Sequence, residues 1–337
     1  MMINHKITYK HWGNHIGKDV FLFKIQNPNG AFIELTNYGA TLVSIVVPDA
    51  SGKLGNVILG FDSFEAYLED HSYIGSTIGR FANRIANARF DIDGQVFNLE
   101  KNNGENTNHS GTHGFHAKVF DFSIQNDELH LHLTSPDGEG GYPGNLSFGV
   151  AYSFSEDNHL QIHYTAETDQ KTFVNFTNHA YFNLNNEASG IFDHQLKIAS
   201  KAVLGSTADY IPTGQIIPSD PVTFNGQTIG NCLVDAKLKG FNTFYVFDHS
   251  RQDGTVAVLS HPGSGRRMEI STSYPGLMLY TGDYLEHPYK PFDGLCLECQ
   301  FFPDSPNHQH FPSTILQPGE QYKQYIHLKF DTQDQPI

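Results

Sequence analysis

The chain has 337 residues, 39% of them hydrophobic and only 17% charged, below the usual ~25%. Acids outnumber bases 36 to 21, a net charge of −15, which argues against partners held by clustered Lys and Arg, namely a nucleic-acid backbone or an anionic membrane surface. Cys232, Cys296 and Cys299 give no disulfide framework, no apolar run reaches the ~18 residues of a membrane helix, and no signal-peptide pattern opens the chain, so a cytoplasmic protein is expected.

From the N-terminus, the first patterned segment is Ser63–Glu69. Ser63 suits an N-cap, and Phe64, Tyr67 and Leu68 share one face, so a short helix is expected. Gly79-Arg80-Phe81-Ala82-Asn83-Arg84-Ile85 follows, with two arginines in an arginine-poor chain. Their guanidinium forks suit hydroxyl, carboxylate or phosphate oxygens, and equally a structural salt bridge. No glycine-rich phosphate loop opens a helix, which argues against a nucleotide. Phe90–Phe97 reads as a hairpin about Asp93-Gly94. Leu129-His130-Leu131-His132-Leu133 alternates as a half-buried strand does. Phe148, Val150, Tyr152 and Phe154, then Leu160, Ile162 and Tyr164 beyond Glu156-Asp157-Asn158, make 146–166 a second hairpin.

Asn175–Leu184 mixes amides, aromatics and one histidine in an expected strand. Alternation places His179, Tyr181 and Asn183 on one face. Such a histidine serves either as an acid or base near neutrality or as a core residue satisfied by neighbouring amides. Gly294–Phe302 holds Glu298 in an apolar strand, where an unpaired carboxylate is costly. It requires a salt bridge, a wet strand face or a site that uses its raised pKa. Cys296 and Cys299 lie at odd spacing, hence on opposite strand faces, and cannot chelate or bridge. His113 with His116 and His308 with His310 are the nearest approach to ligand pairs among nineteen histidines. The H-E-x-x-H spacing is absent, and Pro303, Pro306 and Pro312 make the 308–310 segment a loop, so no metal is expected. The run 321–330 reads as a last strand with imperfect alternation.

Long helices are missing, and no linker or repeat interrupts the chain. The expectation is an all-β fold, a large antiparallel two-sheet β-sandwich forming a single domain over 1–337, with a concave sheet surface and long loops for a site.

Several of these motifs, in this order, resemble the aldose 1-epimerase (galactose mutarotase) family. They are Leu35–Ala40, Gly60-Phe61-Asp62, Gly79–Ile85, Asn178–Leu184, Leu297-Glu298-Cys299-Gln300, Phe302–His308 and Leu316–Glu320. The resemblance spans essentially the whole chain. It implies the family's β-sandwich (the galactose mutarotase-like supersandwich) and cofactor-free interconversion of α and β anomers of hexoses such as galactose and glucose. It also implies a monosaccharide as partner. Carried onto this sequence, Glu298 is the general base and His179 the general acid. Arg84 and His109 match sugar-contacting residues. Gly240-Phe241-Asn242 places Asn242 where the family has an aspartate, which keeps an acceptor and loses the charge. Tyr280 or Tyr181 is expected to stack on an apolar sugar face. A sugar-binding protein without catalysis, a glycosidase and a sugar-phosphate mutarotase are the competing readings. Monomer and homodimer both remain open.

Overall fold

The alternating segments become strands because one face of each has a layer to be buried against. In the computed structural model, which describes residues 6–185, 190–218, 224–247 and 254–332, the strand Glu128–Ser135 buries Leu129 and Leu131 and leaves His132 in solvent. Leu146–Phe154 and His159–Thr168 pair antiparallel around the expected turn. Their inward side chains Phe148, Tyr152, Leu160 and Tyr164 are at most 1% exposed. Each such large apolar side chain contributes about 1.5–3 kcal/mol on burial.

Nine antiparallel strands make the first layer. Their order is Asp121–Gln125, Glu128–Ser135, Leu146–Phe154, His159–Thr168, Tyr322–Thr332, Arg266–Thr272, Ala257–His261, Gln195–Ile198 and Asn225–Thr228. The final strand alternates imperfectly because it packs Tyr322, Ile326, Leu328 and Phe330 inward, while Tyr325 and His327 sit among histidines outside. The second layer combines two sheets. One is five-stranded, from Lys6–His15 to Leu54–Asn56. The other is six-stranded, in the order Tyr181–Phe182, Leu295–Gln300, Gly276–Tyr280, Asn242–Phe247, Ser200–Ser206, Pro212–Pro218. Residues 57–59 stitch the two together. Val57 N–H donates to Ile45 O (2.9 Å), Asn183 N–H to Val57 O (2.9 Å) and Leu59 N–H to Tyr181 O (2.8 Å). The main core lies between the layers and draws Phe23, Ile33, Leu131, Phe148, Leu277 and Leu297 from all three sheets.

The helix Phe64–Leu68 forms as expected, with Ser63 Oγ accepting from Ala66 N–H at 3.3 Å. Only Phe64 and Tyr67 are buried; Leu68 faces solvent because the helix stops one residue beyond the face it packs. The hairpin Arg89–Ile92 with Gln95–Asn98 turns at Asp93-Gly94, as its sequence demands. Among the described residues, no helix is long and apolar enough to cross a membrane.

Arg80 is structural. It is 2% exposed and its guanidinium donates to Ser135 Oγ (3.0 Å), Ser135 O (2.8 Å), Pro136 O (2.9 Å) and Pro143 O (3.0 Å). The nearby Glu139 charge supports the cation against burial. Arg80→Met leaves those carbonyls unpaired in the interior and is expected to cost about 3–5 kcal/mol, read as a lower urea midpoint. His194 is fully buried and accepts from Leu184 N–H through Nε2 (2.8 Å). Burial lowers its pKa to about 3, against 6.5 for an ordinary histidine. Between these values the unfolded chain binds a proton that the native chain refuses, so stability is full above pH 6.5 and falls on acidification. The urea midpoint is expected to drop steadily from pH 6.5 to pH 4, and less steeply in His194→Gln.

Candidate active site

Strand alternation places the key carboxylate. On Leu295–Gln300, Leu295, Leu297 and Cys299 face the core between the layers, while Cys296 and Glu298 face the outer side of the six-stranded sheet. The two cysteines therefore lie on opposite faces, as their spacing requires. A cleft of about 920 Å³ opens there, with Glu298 at its floor.

The expected continuous strand 175–184 is two short pieces. Thr177–Asn178 pairs with Thr77–Ile78, and Tyr181–Phe182 pairs with Leu295–Cys296. The chain changes partners at His179, whose N–H donates to Ser76 O (2.9 Å) and whose carbonyl accepts from Gly75 N–H (3.0 Å). Asn178 locks the break: its Nδ2 donates to Gly75 O (2.8 Å) and its Oδ1 accepts from Ala180 N–H (3.1 Å). Gly75 is obligatory here, with φ +70° and space for a Cβ denied by Leu42 O at 2.0 Å. The break turns His179 into the cleft with Tyr181. Asn183, expected on the same face, instead donates to Asp293 O (2.8 Å).

His179 Nε2 lies 3.8 Å from Glu298 Oε1, and both side chains are nearly dry. His179 Nδ1 faces Cys296 Sγ at 3.5 Å. Burial pushes the Glu298 carboxyl up to about 8, opposed by the Arg84 charge. Burial pushes His179 down to about 4. Burial thus disfavours the charged form of each group, and between these limits the pair as a unit holds one proton and no net charge.

His109 stands beside them, its ring centroid 5.3 Å from that of His179. Asn83, at φ +70°, aims its backbone N–H at His109 Nδ1 (3.2 Å). Desolvation holds His109 well below its ordinary value, so the ring is neutral. Because Nδ1 accepts, the proton sits on Nε2. This decides a question of chemistry. Donor atoms of His109, His179 and Glu298 lie within 4.8 Å of one another, a spacing open to a transition-metal ion. A metal needs a free lone pair on His109, and the Asn83 contact leaves it an N–H instead. The arrangement suits a hydroxyl, which accepts from His109 and donates to Glu298.

Arg84, unlike Arg80, borders the cleft. Its Nε donates to Asn103 Oδ1 (2.9 Å) and its guanidinium lies over the Tyr210 ring at 5.2 Å. Asn242 and Tyr280 are opposite neighbours on adjacent strands and both line the cleft. Tyr280 Oη accepts from Tyr284 N–H (3.0 Å), and the two rings stack at 6.4 Å. All six residues singled out in the sequence thus meet in one cleft. His308 and His310 do not: His308 pairs with Asp304 at 3.2 Å and His310 with Gly214 O at 2.8 Å. Sequence reasoning missed Tyr73, Asn103, Tyr210 and Tyr284, loop residues whose only signal was aromatic or amide character.

Residues 22–329 match the family model described as aldose 1-epimerase. Galactose mutarotase of Mus musculus is 37% identical over 310 residues, covering 88% of this chain and 90% of that one. Aldose 1-epimerase of Escherichia coli is 33% identical, covering 93% and 96%. Among solved structures, an aldose epimerase homologue from C. elegans superposes with a TM-score of 0.88 at 28% identity, covering 92% of this chain and 98% of that one. Galactose 1-epimerase from Lactobacillus acidophilus gives 0.86 at 26% identity, covering 98% and 99%. Matched over residues 22–329 and by relatives 33–37% identical over most of its length, the chain belongs to the aldose 1-epimerase family of isomerases.

Proposed function

We propose that Glu298 and His179 interconvert the α and β anomers of free hexoses such as galactose and glucose, Glu298 as general base and His179 as general acid. The observation that carries this reading is a carboxyl and an imidazole desolvated side by side, 3.8 Å apart, on the floor of an open cleft. Glu298 takes the proton of the C1 hydroxyl, and that electron pair forms the C1 carbonyl. The bond from C1 to the ring oxygen breaks, and its pair takes a proton from His179. Rotation about C1–C2 presents the other carbonyl face, and closure returns both protons. The pair thus ends with the one proton it began with.

The reacting form is the ionised glutamate beside a charged histidine. It differs from the neutral pair by one proton moved between Oε1 and Nε2, with no exchange with solvent. Arg84 favours the ionised carboxylate. So does a sugar hydroxyl donating to Glu298 Oε2, a buried atom with no protein partner in the described residues. His109 donates through Nε2–H, Arg84 and Asn242 take further hydroxyls, and the Tyr280 ring lies against an apolar sugar face. Each proton transfer contributes about 10²–10⁴ in rate. All the groups this chemistry requires are side chains, so no cofactor enters it. Arg84 is the one Arg or Lys lining the cleft among the described residues; with Arg80 bound inside the protein, that favours a neutral monosaccharide over a sugar phosphate. The same reading takes 1–337 as one catalytic domain acting in the cytoplasm, with neither nucleic acid nor membrane as partner.

Glu298→Gln and His179→Asn are each expected to lower kcat at least about 100-fold, with circular dichroism unchanged, when fresh α-galactose is followed by polarimetry against its spontaneous drift. Near wild-type turnover in Glu298→Gln would overturn the assignment. The kcat/KM profile is expected to be a bell. It falls below about pH 4 as His179 and Glu298 both hold protons, and above about pH 8 as the pair loses its last proton.

A further inference from the structure

A second cavity, of about 200 Å³, lies behind the cleft and is bounded by Tyr38, Asp70, Ser76, Thr112 and His116. Tyr73 is the one described residue that lines both spaces. Its ring centroid is 4.7 Å from that of His109, 5.8 Å from His179 and 4.8 Å from His116. The proton-transfer histidine and the hydroxyl-donating histidine therefore rest on one phenol, with the rear histidine on its edge.

We infer that Tyr73 is a positioning residue, whose ring holds the imidazoles of His109 and His179 in their working planes and keeps rear water from them. The inference rests on the acid–base reading above. Tyr73 is built into place at a conformational cost. Its φ of +58° is a left-handed backbone that a tyrosine adopts only where its surroundings dictate it. Those surroundings are explicit. The Asp70 carboxylate accepts from Ser72 N–H (2.8 Å) and Ile74 N–H (2.7 Å), and Tyr181 Oη donates to Ser72 O (3.0 Å). Tyr73 O accepts from Ser76 N–H (3.0 Å), and Gly75 N–H is held by His179 O. The turn carrying Tyr73 and the break carrying His179 are one bonded unit.

The rear space is lined by Asp70, Ser76, Thr112 and His116 as well as by Tyr67, Leu68 and Ala117, and it is several times the size of a water molecule, so it admits water. Without the phenol, that water reaches both imidazoles. His179 is otherwise faced by Glu298 and Cys296 from strand Leu295–Gln300, by Tyr181 from its own segment, by His109, and at longer range by the charge of His116. His109 is faced by His179, Arg84 and His116, with Asn83 N–H on Nδ1. None of these groups replaces the apolar ring, so removing it eases the desolvation that keeps both histidines neutral.

The test is Tyr73→Gly beside Tyr73→Phe. Glycine takes a φ of +58° without strain, so the first variant loses the ring and keeps the backbone. Imidazole nitrogens are followed by ¹⁵N NMR against pH, assigned with His109→Asn and His179→Asn, and kcat and KM by polarimetry. Expected in Tyr73→Gly are a His179 midpoint raised by at least one pH unit, an acid limb of kcat/KM raised with it, and kcat down at least tenfold. Tyr73→Phe is expected to match wild type within threefold in all three. Unchanged histidine midpoints in Tyr73→Gly, or a Tyr73→Phe as impaired as Tyr73→Gly, would overturn the inference. A wild type with no effect on galactose rotation would instead sink the functional reading, while the NMR titrations still decide whether Tyr73 shields the histidines.

Discussion

The site is organised by one constraint, the burial of a carboxyl group in the middle of a sheet. Glu298 is 2% exposed and sits on a strand whose other face is core. A lone charge there would cost several kcal/mol, so the group either takes a proton or takes a partner. It does both, by sharing one proton with a histidine whose charge burial also disfavours. Net charge on the pair is zero in either tautomer, and moving the proton creates or relieves an ion pair without importing charge from solvent. A surface carboxylate would remain ionised at neutral pH and an exposed imidazole would be only about a quarter charged. Dryness makes them a matched acid and base.

The scaffold supplies that dryness through backbone rather than through bulk. The change of strand partners at His179 ties the backbone beside the imidazole to Gly75 and Ser76 and holds the ring at the cleft. Asn178, Gly75 and Ser76 fix the change with hydrogen bonds to backbone groups, so the geometry does not depend on the ligand. Asn83 plays the same part for His109 by pointing an N–H at Nδ1. In both cases a main-chain contact sets the orientation or tautomer of a ring, which ties the chemistry to the rigidity of the sandwich.

Much of this was legible in the sequence wherever a signal was local. Half-buried strands alternate, so the hairpin of 146–166 and the strand about Leu129–Leu133 followed from side-chain period alone. Glu298 stood out because a carboxylate in an apolar run demands an explanation. Arg80 and Arg84 show the limit. Four residues apart in one motif, they offer the same chemistry to a reader of the sequence. The left-handed Asn83 between them separates their fates, one into the interior against Ser135, the other to the cleft against Asn103. Leu68 and Asn183 went wrong for a related reason, since periodicity assumes an element that continues, and both lie where an element ends or breaks. Tyr73 and Tyr210 lie in loops brought to the cleft by contacts far along the chain, and a loop residue carries no period to betray its neighbours.

The histidines make the same point from the chemical side. Nineteen in one chain invite a metal, and three donors within 4.8 Å seem to answer the invitation. Donor count is the wrong criterion. An imidazole is a ligand, an acid or a hydrogen-bond donor according to which nitrogen carries its proton, and neighbours decide that. Asn83 makes His109 a donor. Burial makes His194 a neutral acceptor for Leu184. His163 and His327, with Nε2 atoms 2.9 Å apart on the outer sheet face, share one hydrogen between them. His179 has a ring nitrogen 3.8 Å from a carboxyl as buried as itself, with which it can exchange a proton. A residue type that composition treats as uniform is thus divided by its hydrogen-bond partners into separate chemical roles.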